Sequence, residues 1–170
     1  MTYINKFVQL KAFARQEALM LAALWTASFA LTMMAQAGAL GNLLALSTPF
    51  VVVWRTNVFR DKVLGGTISW RRAWAFCLYI FVYASLAFAL VQFAYFRFLD
   101  HGSFAQLITD TMNTMMPLYE QNGMTKAEVT QSINAIRELT PVQWAFVFML
   151  QNMMIGALAS VPLALISRRK

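Results

Sequence analysis

Four stretches of the chain contain no Asp, Glu, Lys, Arg or His: about Ala18 to Gln36, Ala39 to Trp54, Ala73 to Phe96 and Val142 to Ile166. A helix that crosses a bilayer needs about 20 mostly apolar residues. Each stretch is therefore read as a spanning helix. The second is the shortest, and it carries Pro49 beside Ser47 and Thr48. Proline removes a backbone donor and crowds the preceding turn, so a kink is expected there. Hydroxyls and neighbouring helices can satisfy the freed groups in a membrane. Gly38 and Gly41 make a tight connection between the first two stretches, which predicts an antiparallel hairpin.

The remaining segments also show helical periodicity. Tyr3, Ile4, Phe7, Val8 and Ala14 recur at helical spacing, with Lys6, Gln9, Lys11 and Arg15 elsewhere. Residues 3–16 are read either as an interfacial helix with its lysines toward anionic headgroups or as an extension of the first span. Between the third and fourth spans, Asp100-His101-Gly102 breaks the helix. Ser103 and Gln106 then form an S-x-x-Q capping box. Phe104, Leu107, Ile108, Met112, Met115 and Tyr119 follow as an apolar stripe. Pro117 should kink this helix, and Asn122-Gly123 should stop it. Thr125 and Glu128 form a second capping box, with Met124 and Val129 placed as its hydrophobic staple. Val129, Ile133, Ile136 and Leu139 continue that helix. Thr140, Pro141 and Gln143 start the fourth span, with proline at the first helical position. Residues 97–140 thus read as a two-helix amphipathic hairpin. Its stripes pack on each other, lie on the membrane or bind a partner.

Charge fixes the expected orientation. Eleven of the 14 basic residues fall in the N-terminal arm (Lys6, Lys11, Arg15), the loop of about 55–72 (Arg55, Arg60, Lys62, Arg71, Arg72) and the tail (Arg168, Arg169, Lys170). Only Glu17 and Asp61 oppose them there. The 97–140 segment holds Arg97, Lys126 and Arg137 against five acids. Lys and Arg accumulate on the cytoplasmic side. Four spans put both ends on one side, so count and charge agree on cytoplasmic termini in a bacterial inner membrane. Trp54, Trp70, Trp74 and Trp144 lie near span ends, where interfacial aromatics collect; Trp25 lies inside the first span. Lys6, Lys11 and Arg15 ahead of an apolar run, with Ala35-Gln36-Ala37 after it, also resemble a cleavable signal. The run is longer than the usual 7–15 residues of a signal peptide, which favours an uncleaved span.

Composition agrees with a lipid-solvated exterior. The chain has 170 residues, room for one compact unit, with 59% apolar and 12% charged residues. A soluble domain carries about 25% charged residues. The net charge of +7 does not indicate nucleic acid, because the cations sit at the ends of apolar runs and not on one clustered face. The lone cysteine, Cys77, allows no intramolecular disulfide and no metal site. No cofactor is expected.

Ionisable groups inside membranes are costly and mark function; the four spans have none. This argues against a pump, a proton-coupled transporter or an intramembrane metalloprotease. The uncharged polar residues Asn42, Gln92, Gln151 and Asn152 either line a substrate path or hydrogen-bond between helices. Thr26, Ser28, Thr32, Ser85 and Ser160 add hydroxyls. Gly156 and Ser160 have the small-xxx-small spacing of close helix contacts, which marks an internal contact or a dimer seam; Gly38 and Gly41 do not. Arg55, Arg60, Lys62, Arg71 and Arg72, with Gly65-Gly66 between them, are candidate lipid-headgroup contacts, or else they only set topology. Asp100-His101 is a possible acid-base pair, but it lacks a nucleophile or metal partner nearby in sequence and reads better as solvent-facing or capping. Methionines along the outer stripe offer an adaptable face or pack inside the hairpin.

The runs Asn42-Leu43-Leu44, Thr48-Pro49-Phe50, Phe59-Arg60-Asp61, Gly66-Thr67-Ile68-Ser69 and Arg72-Ala73 resemble the small bacterial inner-membrane proteins catalogued as domain of unknown function 4199. So do Met124-Thr125-Lys126-Ala127-Glu128, Thr140-Pro141, Asn152, Gly156, Ser160 and Arg168-Arg169. The resemblance covers nearly the whole chain. It implies a four-helix membrane protein with a helical insertion before the last span and no assigned activity. It also implies a polyprenyl-phosphate glycosyltransferase as partner. The chain is thus read as all-α, an integral membrane four-helix bundle with an extracytoplasmic hairpin inserted between spans 3 and 4. Its expected role is a non-catalytic accessory or scaffold subunit for another membrane enzyme. Its partners are the bilayer and a membrane protein, or a second copy of itself. The alternative is a small-molecule or lipid carrier with a polar intramembrane cavity.

Overall fold

A computed structural model gives the fold; it describes residues 3–34 and 37–169, with side chains from Val8 onward. The described residues form eight helices. In chain order these are α1 (Tyr3–Met33), α2 (Gly38–Leu46), α3 (Thr48–Val63), α4 (Trp70–Phe98), α5 (Ser103–Thr114), α6 (Met116–Gln121), α7 (Lys126–Arg137) and α8 (Pro141–Ser167). Ala35 and Gln36, which close the first expected span and complete most of the cleavage-like sequence, lie outside the described residues. So do Lys170 and the side chains of Tyr3, Ile4, Lys6 and Phe7.

The all-helical expectation holds. α4 and α8 are long and apolar enough to cross a membrane, which suggests membrane association. At about 1.5 Å per residue, neither α2 nor α3 alone matches the about 30 Å of a hydrocarbon core. The second expected span is divided between them. The break falls at Ser47, with Pro49 in the first turn of α3. The Ser47 hydroxyl donates to the Leu44 carbonyl at 2.6 Å. α3 then continues nine residues past Trp54, to Val63. The N-terminal arm is the start of α1 and no separate helix; residues 3–33 contain no Gly or Pro to interrupt it.

The chain divides into two compact units. The first is Met1–Leu90 with Phe148–Lys170. Here Leu10, Ala14, Ala18, Leu21, Trp25 and Ser28 form one buried face of α1, at spacings of three and four. Trp25 meets Phe81 and Phe88 of α4, with ring centroids 6.2 and 5.8 Å away. Its indole N–H donates to Thr48 Oγ1 at 3.0 Å, beside the α2–α3 break. Phe59 of α3 stacks on Phe76 of α4 at 4.1 Å. Cys77 is fully buried, with Thr56 Oγ1 at 3.3 Å.

Two glycines allow close approach. A Cβ on Gly41 would collide with Thr32 Oγ1 and would lie 2.6 Å from the Ser28 carbonyl oxygen. α2 therefore lies directly against α1, and Ser28 Oγ donates to the Gly41 carbonyl at 2.8 Å. A Cβ on Gly156 would run into the Phe81 side chain. The small residue in α8 thus serves an internal contact with a ring. Buried Ser160 returns its hydroxyl to the Ala157 carbonyl.

The second unit is Val91–Val147. α5 and α6 pack on α7, burying Thr109, Val129 and Ile133. Phe96, Phe104 and Trp144 form a three-ring cluster. The Thr125–Glu128 capping box forms as expected. In place of the expected two-helix hairpin with a kink at Pro117, the segment forms three helices: the first is broken at Met115, α6 starts with Pro117 in its first turn, and it stops before Gly123, whose φ is 86°. The expected Ser103–Gln106 box does not form. Gly102 is the N-cap of α5, at φ 86°. The Asp100 carboxylate accepts from the Gly102 and Phe104 backbone N–H groups at 3.1 and 2.9 Å. The left-handed turn at His101 and Gly102 brings that carboxylate over the first turn.

Gly41→Ala should lower stability by about 1–3 kcal/mol, the usual effect of overpacking. Gly38→Ala should be neutral or stabilising, because among the described residues its Cβ meets only a carbonyl at 3.8 Å. Thermal melting of both variants in one detergent checks the contrast. The Thr125 backbone N–H and hydroxyl hold the Glu128 carboxyl below its ordinary range. A depressed folded value means that the cap's contribution is complete above the unfolded pKa of about 4.3. It is lost as pH falls through the lower folded value. Amide protection factors in the first turn of α7 should fall in acid, and should not do so in Glu128→Gln.

Candidate functional site

The five basic residues singled out in the loop of about 55–72 divide into two groups. Val52, Thr56 and Phe59 form the buried face of α3, and Arg55 lies beside that face. Its guanidinium makes a two-point contact with the Glu17 carboxylate of α1 through Nε and Nη2, the latter at 2.7 Å. Both side chains are largely buried. The hydrogen bond to Glu17 raises the Arg55 pKa against the opposing effect of burial. Arg55 also lies over the Trp54 ring, 4.9 Å from its centroid.

Arg60 is also engaged. It donates to both Asp61 carboxylate oxygens at 2.7 and 3.0 Å, to Asn57 Oδ1 at 3.1 Å and to the Ser167 carbonyl at 3.1 Å. The last bond satisfies an end carbonyl of α8 with a cation, a favourable arrangement at a helix C-terminus. It attaches that end to α3. Hydrogen bonding to Asp61 raises the Arg60 pKa. The Asp61 carboxyl is lowered first by its bond to Arg60, and further by the charges of Arg60 and Arg169.

Lys62, Arg71 and Arg72 have no carboxylate partner among the described residues. Lys62 and Arg71 are exposed. Arg72 is half-buried, 5.9 Å over the Phe59 ring; burial lowers its pKa. The tail adds two cations to this loop. Ile68 and Arg169 form an antiparallel bridge, with N···O distances of 2.9 and 3.2 Å. Arg168 and Arg169 are thereby carried to the α3–α4 loop. Their sequence position after the last span hinted only at a shared side, not at a backbone pairing.

The intramembrane candidates do not form one lining. Asn42 and Gln151 are exposed, Asn152 is half-buried and Gln92 is buried. Outward-facing amides on α2 and α8 cannot line an interior path. Among the described residues, Gln92 Oε1 has no hydrogen-bond partner, and neither does Ser85 Oγ, seven residues earlier on α4. Asp100 is occupied as the α5 cap, and His101 is exposed at φ 47°. That corner forms a helix-capping turn. Among the described residues, no three His, Cys, Asp or Glu side chains gather within metal-binding reach.

One family model, described as Protein of unknown function (DUF4199), matches residues 16–169. No curated protein and no solved structure matches the chain.

Glu17→Gln should destabilise the chain by about 1.5–3 kcal/mol, the range for hydrogen bonds to charged groups, because it leaves Arg55 largely buried without its counter-ion. Asp61→Asn, at an exposed pair, should cost far less. Parallel thermal melts distinguish the two.

Proposed function

The chain belongs to the DUF4199 family of proteins of unknown function, and from that premise we propose that it is a multi-pass bacterial inner-membrane protein serving as a non-catalytic subunit of another membrane enzyme. In this reading α1, α2 with the start of α3, α4 and α8 make four passes, and both ends are cytoplasmic. The 97–140 insertion faces the other side. The bridge between Ile68 and Arg169 supports the topology, because it holds the loop after α3 against the tail after α8. An even number of passes puts the N-terminal arm on that side too.

The observation that carries the accessory role is Gln151. It lies near the middle of α8 and faces outward. Its exposed neighbours are Val147, Leu150, Met154, Ile155 and Leu158. A carboxamide facing lipid has no hydrogen-bond partner, so its presence there favours a protein helix on that face. Exposed Asn42 on α2 adds a second polar group of this kind. The enzyme class implied by the family resemblance, a polyprenyl-phosphate glycosyltransferase, is the partner we assign. The carrier reading requires the four amides to line one path, and the outward orientation of two of them counts against it.

Tagged protein extracted in a mild detergent should retain a second protein in stoichiometric amount. Gln151→Leu should weaken that association about three- to twentyfold, from about 0.6–1.7 kcal/mol per interhelical hydrogen bond in membranes. Repeated isolation of a lone monomer or homodimer contradicts the proposal.

A further inference from the structure

We propose that the α3–α4 loop, the first turn of α4 and the C-terminal tail together hold the phosphate of an anionic phospholipid headgroup. This goes beyond the accessory role and rests on different residues.

The acids at this end are Glu17 and Asp61. Arg55 occupies Glu17, and Arg60 occupies Asp61. Asp61 also feels Arg169, which leaves Lys62, Arg71, Arg72 and Arg168 with no carboxylate of their own among the described residues. The bridge between Ile68 and Arg169 fixes the tail beside this loop by two backbone hydrogen bonds, so the tail cations are held there and do not trail away. Gly65 and Gly66, at φ 70° and 91°, have open space where a side chain would stand. The loop surface between the cations is therefore uncovered.

Arg72 gives the patch its anion preference. Arg72 is half-buried, with its guanidinium 5.9 Å over the Phe59 ring and no carboxylate partner among the described residues, and burial disfavours its charged form. A phosphate oxygen would supply the missing counter-charge through charge-assisted hydrogen bonds. Arg71 and Arg72 also stand in the first turn of a 29-residue helix that has no acid there. The helix dipole repels cations at that end and attracts anions, so two arginines in that turn suit a bound anion between them and the backbone N–H groups.

The aromatic setting selects a lipid over a soluble anion. Trp70 and Trp74 stack at 6.3 Å on the same turns of α4, and each is about one-third exposed. Partly exposed indoles at the end of an apolar helix sit at headgroup depth. The charge patch is thus placed where a phospholipid carries its phosphate.

Native mass spectrometry of the full chain, released from detergent with phosphatidylglycerol or phosphatidylcholine titrated in, tests this. The intact chain should retain one phosphatidylglycerol at least about tenfold more tightly than phosphatidylcholine. Lys62→Gln/Arg71→Gln, two exposed positions whose loss should not disturb folding, should weaken retention about thirtyfold, at about 1 kcal/mol per cation near an anionic surface. Arg72→Gln should weaken it as well. Arg97→Gln/Lys126→Gln removes the same charge elsewhere and should leave retention unchanged. Equal retention by intact chain and loop variant overturns the proposal, as does equal loss in the control. Stabilisation by millimolar inorganic phosphate equal to that by phosphatidylglycerol would overturn the lipid assignment.

Discussion

A polar group inside an apolar interior must find its partner within the protein, because neither lipid tails nor packed side chains replace water. Much of the first unit follows from this constraint. Trp25 is buried among phenylalanines, and its N–H reaches the Thr48 hydroxyl. That hydroxyl is in position because Pro49 forces a new helix to start beside it. Ser28 donates to the Gly41 carbonyl, which is close enough only because residue 41 lacks a side chain. Thr56 returns its hydroxyl to Val52 on its own helix. Gln151, on the exposed face of α8, is the outward-facing polar group on which the proposed accessory role rests.

The same constraint applies to charge at the end formed by α3, the α3–α4 loop and the tail. A largely buried Arg55 is tolerable with Glu17 beside it. Arg60 is tolerable because it bonds a carboxylate, an amide and a helix-end carbonyl together. These two arginines build structure, whereas the cations left without acids keep their charge available. Function is therefore more readily sought among the unpaired group than in the basic cluster as a whole. Positive-inside bias and lipid binding are compatible, since each requires cations at headgroup depth.

Local signals in the sequence were legible and long-range ones were not. The Thr125–Glu128 cap and the Gly123 stop involve residues a few positions apart and formed as expected, whereas Pro49 and Pro117, expected to kink a continuous helix, each sit in the first turn of a new one. The Ser103–Gln106 pattern failed because the helix starts one residue earlier, at Gly102, so the Ser103 and Gln106 N–H groups go to the backbone carbonyls of Asp100 and Gly102. In sequence, Gly41 reads only as part of a tight connection, because its close-contact partners, Ser28 and Thr32, are four apart on another helix. The small-xxx-small pattern was there, but on α1. The Arg55–Glu17 pair spans 38 positions, and the Ile68–Arg169 bridge about a hundred. Composition alone grouped Arg55 and Arg60 with Lys62, Arg71 and Arg72; only the fold separates them. The N-terminal arm could be read as interfacial or as part of the first helix, and the unbroken buried face from Leu10 to Ser28 decides for the helix.

The account stands most directly on sidedness. In a Cys77→Ala chain, Thr67→Cys, Arg168→Cys and Gln121→Cys each place a single thiol at an exposed position. A membrane-impermeant maleimide applied to intact spheroplasts should label Gln121→Cys, and should label the other two only after lysis. Labelling of Thr67→Cys or Arg168→Cys from outside, or full recovery of the chain in water without detergent, would contradict it.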